Sequence, residues 1–168
     1  MFGSMKELVE AAGSGSIAQA AKEEQASQNH SEIASQVERM RQALQVMRES
    51  SEDGLTPGRR SMSGLTGGGA IRLFAHAENA ASGPVMGRAI ARALSVAECN
   101  ACMGKIVAAP TAGACGILPA ALLTMQETRG CTDDQLVDAL FTAAAVGGVI
   151  ATRASISGAE GGCQAECG

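Results

Sequence analysis

Ile33, Val37, Met40, Leu44 and Met47 are spaced alternately four and three residues apart. That period puts them on one face and predicts a helix over 31–49. Asn29 or Ser31 is suited to cap its start. Glu38, Arg39, Arg41, Arg48 and Glu49 fall opposite and read as a solvated face, although the apolar stripe could instead dock a partner chain. Residues 1–29 are polar and small, with a short helix expected around Met5 to Ala12 and a break at 13–16. Residues 50–69 are too rich in Gly, Ser and Thr for regular structure and read as a loop. A helix is predicted over 70–81. Ser82-Gly83-Pro84 then breaks the chain, with Pro84 suited to the first position of a helix running to about Met103. Another small-residue connection covers 104–117. Pro119 is expected to open a helix that stops at Gly130. Thr132 and Gln135 form a capping box for a further helix to about Ala151. The tail from Ile156 begins a new element.

Composition sharpens this picture. The chain has 168 residues, 46% apolar and 18% charged, which is enough for a core and excludes a disordered tail. It holds 32 Ala and 21 Gly, and residues this small let helices approach closely. A β-sandwich would want more β-branched and aromatic residues, so the expected class is all-α and tightly packed. Residues 1–50 read as an N-terminal helical appendage. Residues 51–168 read as one helical domain, expected to be incomplete because the sequence stops inside a motif.

With no Trp, no Tyr, three Phe and a net charge of −4, neither an aromatic stacking platform nor a basic footprint exists, so nucleic acid and anionic membranes are excluded as partners. The apolar run from Ala139 to Ala151 is short for a bilayer, and the N-terminus lacks a basic, then apolar, leader. A cytoplasmic location is expected. There, Cys99, Cys102, Cys115, Cys131, Cys163 and Cys167 are thiols, metal ligands or catalytic groups rather than a disulfide framework.

Three glycine-rich islands join the predicted helices. The first, Ser61-Met62-Ser63-Gly64-Leu65-Thr66-Gly67-Gly68-Gly69, offers hydroxyls and bare N–H groups just before a helix, a place suited to an anion. It lacks the Gly-Lys-Ser/Thr ending of a phosphate loop, and a flexible linker is the plainer alternative. The second combines Asn100-Ala101-Cys102-Met103-Gly104 with Pro110-Thr111-Ala112-Gly113-Ala114-Cys115-Gly116; it could equally be a tight connection. The third runs from Gly158 to Gly168, with Cys163 after paired glycines and acids at Glu160 and Glu166. Cys163 could ligate a metal, act as a nucleophile or be a small buried thiol. The pairs Cys99/Cys102 and Cys163/Cys167 could in principle hold zinc, but their separation suits no standard knuckle. His30 and His76 are isolated.

The order SMSGLTGG, NACMG, PTAGACG, SISGAEGGCQAE resembles the catalytic α chain of iron–sulfur-dependent L-serine dehydratase (L-serine ammonia-lyase), and the opening MFGSMKELVEAA resembles the start of that chain in the two-subunit form. The resemblance implies an all-helical catalytic domain and a cytoplasmic lyase of amino-acid catabolism and gluconeogenesis. It implies a [4Fe–4S] cluster on three cysteines whose open iron acts as a Lewis acid on the serine hydroxyl, without pyridoxal phosphate. L-Serine is then the substrate, and a regulatory β chain or a homo-oligomer the partner. Cys163 matches the first cluster cysteine. Ser61, Ser63, Gly64, Thr66, Gly67 and Gly68 match the island expected to hold the substrate carboxylate and hydroxyl; Asn100 and Thr111 match positions near the same pocket. The resemblance names no general base. In the family the other cluster cysteines lie further along, in a CDP-containing segment that this sequence does not contain. One thiolate does not hold a cubane cluster, so this chain alone is expected to be inactive. A lyase removing sulfide from L-cysteine and a non-catalytic helical remnant or interaction module are the rival readings.

Overall fold

A computed structural model describes residues 2–167. Among these residues the fold is all helical, with no strand. Its helices are α1 Met5–Ala12, α2 Ile17–Gln28, α3 Ile33–Gly54, α4 Gly69–Ala75, α5 Pro84–Ala101, α6 Ile117–Arg129, α7 Asp133–Ala151, α8 Gly158–Gly161 and α9 Cys163–Cys167, with a 3₁₀ turn at Ala77–Asn79.

Several boundaries follow from local chemistry. Pro84 occupies the first turn of α5. Thr132 and Gln135 form the reciprocal capping box of α7. Gly130 ends α6 in the left-handed conformation (φ 68°). Pro119 is the third residue of α6 rather than its first, which is tolerated because first-turn N–H groups have no helical partner.

Three elements depart from the expected pattern. Helix α2 forms where only a polar stretch was expected; Ser16 caps it, and Ala18, Ala20, Ala21 and Ala26 supply its buried side. Helix α3 starts after Glu32, which makes no side-chain cap, and Ser31 instead accepts from the Gln36 amide at 2.6 Å. It then continues past residue 49, because Ser50, Ser51 and Gly54 are buried against neighbours despite their polarity or size. The helix expected over 70–81 divides into α4 and the 3₁₀ turn.

The main hydrophobic cluster joins Ala18 and Ala21 of α2, Leu44 and Met47 of α3, Leu122 of α6, and Leu136, Val137, Leu140 and Phe141 of α7. The expected division at 50/51 thus falls within α3, and α2 and α3 share this cluster with α6 and α7. Arg41 and Arg48, expected in solvent, bind Asp134 and Asp133 at the start of α7, where acidic charge favours the helix dipole. Helix α7 has 19 residues and is long and apolar enough to cross a bilayer. Its first half, however, is built into the cluster through Leu136 to Phe141.

Helix α5 lies between α3, α4 and α6, and glycines on it or facing it allow close approach. A Cβ at Gly54 would stand 2.9 Å from the Ser95 Cα, one at Gly87 2.6 Å from the Ala77 carbonyl oxygen, and one at Gly116 3.1 Å from the Ala93 carbonyl carbon. Side chains could not fill these crossings without separating the helices.

Candidate active site

The glycine islands gather around the C-terminal end of α5. Glu98 is buried there, 4% exposed. Its Oε2 accepts the Gly68 N–H at 3.0 Å, and its Oε1 accepts those of Gly69 at 2.8 Å and Ala70 at 3.2 Å. These are the first donors of α4, whose cap residue Gly68 is left-handed (φ 75°) and contributes no side-chain cap. The anion expected at this helix start is therefore the chain's own carboxylate. Three N–H groups and the dipole offset its burial.

The rest of the first island is a self-bonded loop. The Ser61 N–H donates to the Thr66 carbonyl at 2.9 Å, the Thr66 N–H to Ser61 Oγ at 3.2 Å, and the Gly64 N–H to the Ser61 carbonyl at 2.9 Å. Ser61 Oγ and Ser63 Oγ are 3.1 Å apart. Gly67 has φ 133°, and a Cβ there would stand 3.0 Å from the Arg60 Cα, so only glycine fits. The leg entering the loop is fixed by Arg59, ion-paired to Asp53 near the end of α3. The buried Cys99 thiol donates to the other oxygen of Asp53 at 3.1 Å. Burial, with the Asp53 carboxylate beside it, pushes that thiol up to about 12. Burial also raises Cys115. Both are inert thiols rather than nucleophiles.

The second island hangs from the same helix end. The Asn100 side-chain amide donates to the Ala112 carbonyl at 3.1 Å. Thr111 Oγ1 is buried without a hydrogen-bond partner. The Ala109–Pro110 bond in this segment is cis. The third island reaches the second through Glu166: its Oε1 accepts the Gly158 N–H at 3.0 Å, and its Cδ would lie 3.3 Å from a Cβ on Gly113. Cys163 opens α9 and is exposed, as is Cys167.

Of the residues singled out from sequence, Ser61, Ser63, Gly64, Thr66, Gly67 and Gly68 share one loop, and Asn100 holds the segment carrying Thr111. No hydrogen bond joins Cys163 to that loop among the described residues. The described residues contain no group of three His, Cys, Asp or Glu side chains able to hold a metal. They therefore supply neither the zinc site considered from sequence nor the several thiolates a [4Fe–4S] cluster takes. A shallow, open depression is lined by Glu23, Ser27, His30 and Glu32, and a pocket of ≈ 160 Å³ by Gln25, Phe141 and Gly148; neither is lined by an island residue.

The profile of the family described as Serine dehydratase alpha chain matches residues 9–168. The chain belongs to that family. Among relatives of the serine dehydratase alpha chain, the "Probable L-serine dehydratase, alpha chain" of Bacillus subtilis (strain 168) is 46% identical over 127 residues, covering 74% of this chain and 42% of the relative. The "L-serine dehydratase, alpha chain" of Peptoniphilus asaccharolyticus is 40% identical over 127 residues, 74% of this chain and 44% of its own. "L-serine dehydratase TdcG" of Escherichia coli (strain K12) is 48% identical over 77 residues, 45% of this chain and 17% of its own. The chain thus spans less than half the length of these relatives. No solved structure matches.

Glu98, Asp53 and Arg59 are the parts of this candidate site that sequence reading missed. Glu98 carried a faint signal: it is the one acidic residue in the α5 sequence.

Proposed function

We propose that this chain is part of an L-serine dehydratase α chain, acting in the cytoplasm on L-serine to give pyruvate and ammonia. The observation that carries this reading is the convergence of two islands on one helix end, the 61–69 loop through Glu98 and the 110–116 segment through Asn100. The reaction removes the α-proton and the β-hydroxyl as water, and the resulting aminoacrylate hydrolyses to pyruvate and ammonia. The loop's part is to hold the substrate carboxylate and hydroxyl. Ser61 and Ser63 carry two hydroxyl protons, and their mutual contact uses one, leaving one O–H for a ligand. Glu98 takes the N–H groups of Gly68, Gly69 and Ala70, so the substrate carboxylate falls to the Ser61–Thr66 end of the loop. Asn100 and Thr111 stand at its margin.

A [4Fe–4S] cluster would take Cys163 as one thiolate and its other ligands from the part of the family's length that this chain does not span. Its chemistry, when bound, is that of a Lewis acid toward the serine hydroxyl. A regulatory β chain or a second copy completes the assembly. Residues 1–50 pack into the same core as α6 and α7, and with residues 51–168 they form the first part of the catalytic domain.

The test is anaerobic reconstitution with ferrous iron and sulfide, reading pyruvate from L-serine. The chain is assayed alone and mixed with the remaining part of the Peptoniphilus asaccharolyticus α chain, expressed separately. We expect no pyruvate from the chain alone and turnover from the mixture. A folded mixture that yields none overturns the reading; faster sulfide release from L-cysteine than pyruvate formation from L-serine would transfer it to a desulfidase.

A further inference from the structure

The geometry points to Glu98 as the positioning residue of the substrate loop: a buried carboxylate on α5 that sets where Ser61 and Ser63 stand by clamping the loop's exit at Gly68, Gly69 and Ala70. This inference rests on the function proposed above for residues 61–69.

Three observations support it. Glu98 is 4% exposed, and both its oxygens are engaged by backbone N–H groups 28–30 residues away in sequence. A buried carboxylate is costly unless bonded in this way, so the loop and the carboxylate hold each other. The loop is also shaped to receive it: a Cβ on Gly69 would stand 2.9 Å from Glu98 Oε1, and Gly68 reaches its left-handed φ of 75° without a penalty. Finally, the loop has little else to fix this end. Its entering leg is tied by the Arg59–Asp53 pair and its tip by bonds within the loop, whereas the 68–70 end is tied across the molecule by Glu98. Glu98 and Asn100 also lie two residues apart on α5, so the helix that clamps this loop holds the 110–116 segment as well.

The variant E98Q keeps the volume but removes the charge and one acceptor, and turns an amide N–H₂ toward N–H donors. Loss of a charge-assisted anchor should raise KM for L-serine about tenfold in the reconstituted mixture, with kcat changed less than about threefold. KM does not depend on how much enzyme is folded, so a purely structural role would lower apparent kcat and leave KM alone. E98D, still charged, should restore part of the KM. G69A approaches the same contact from the loop side and should raise KM in the same way; it keeps the inference testable if E98Q folds poorly.

In the chain by itself, amide hydrogen exchange at Gly68, Gly69 and Ala70 should accelerate about tenfold or more in E98Q while the α7 amides keep their protection. Unchanged exchange at 68–70 overturns the anchor whatever the activity assay gives. Faster exchange with an unchanged KM overturns the positioning role. If the wild-type mixture makes no pyruvate, the proposed function fails, and the anchor is then decided by the exchange result alone.

Discussion

Replacing Gly54 by alanine sets two effects of opposite sign against each other. Gly54 is the buried last residue of α3, and nothing but a hydrogen stands between it and the α5 backbone. A Cβ there would lie 2.9 Å from the Ser95 Cα and closer still to its carbonyl carbon and oxygen. Carbon atoms settle at about 3.5–4.0 Å, and the carbonyl atoms are the tightest contacts, so the helices must part by more than about 1 Å, a gap that forfeits about half or more of each contact's attraction. Nearby, Ser51 Oγ and Ser95 Oγ meet at 2.9 Å in a buried hydrogen bond. Losing it costs about 1 kcal/mol, and overfilling the crossing adds about 1–3 kcal/mol. Against this, alanine gains at most about 1 kcal/mol over glycine in a helix, and less at its last residue. The steric side wins, for a net loss of about 2 kcal/mol. In a chain of this size that lowers Tm by about 4–8 °C. Thermal unfolding of wild type and G54A, followed by circular dichroism at 222 nm with urea titration as a check, measures it. A G54A chain that melts at or above wild type refutes the argument, because propensity would then outweigh a contact the structure makes unavoidable.

Three other outcomes are expected. F141A, which empties the centre of the main cluster, should cost about 3–5 kcal/mol in urea unfolding, and a loss under about 1 kcal/mol would mean Phe141 is not the keystone its full burial makes it. The Cys99 thiol is raised from 9.0 to about 12, so between those values the folded chain binds more protons than the unfolded one. Its stability contribution is complete below about pH 9 and is lost as pH rises toward 12; C99A should flatten that alkaline decline. Asp133 is lowered chiefly by its bond from Arg48, then by Gln126, so its contribution is present at neutral pH and lost as pH falls through the carboxylate range. D133N should flatten the acid limb of the urea midpoint, by about 1 kcal/mol or less for so exposed a pair, and an unaltered limb would show that the Arg48 bond is not populated in solution.

Signals confined to a few neighbouring residues were readable from sequence: Pro84 opening α5, the Thr132–Gln135 box, Gly130 closing α6, and the stripe from Val37 to Met47. Helix α2 escaped because its buried face is alanine, which pattern reading takes as neutral. The extension of α3 escaped because Ser50, Ser51 and Gly54 read as loop residues, although at a close helix crossing small size matters more than polarity. The islands were visible as islands, but their anchors were not. Glu98 bonds 28–30 residues upstream and Arg48 pairs with Asp133 85 residues downstream, and no local pattern encodes such partners.

Because α5 touches its neighbours backbone to backbone at Ser95 and Ala93, it has no cushion of side chains in which to turn or slide independently of them. Its last turn also grips two loops, one by Glu98 and one by Asn100. The 68–70 end of one loop and the 110–116 segment of the other are therefore coupled through one helix end. A screw motion of α5 large enough to shift the 61–69 loop carries the 110–116 segment with it, so opening or closing around a ligand would be a single geared movement and not two independent ones.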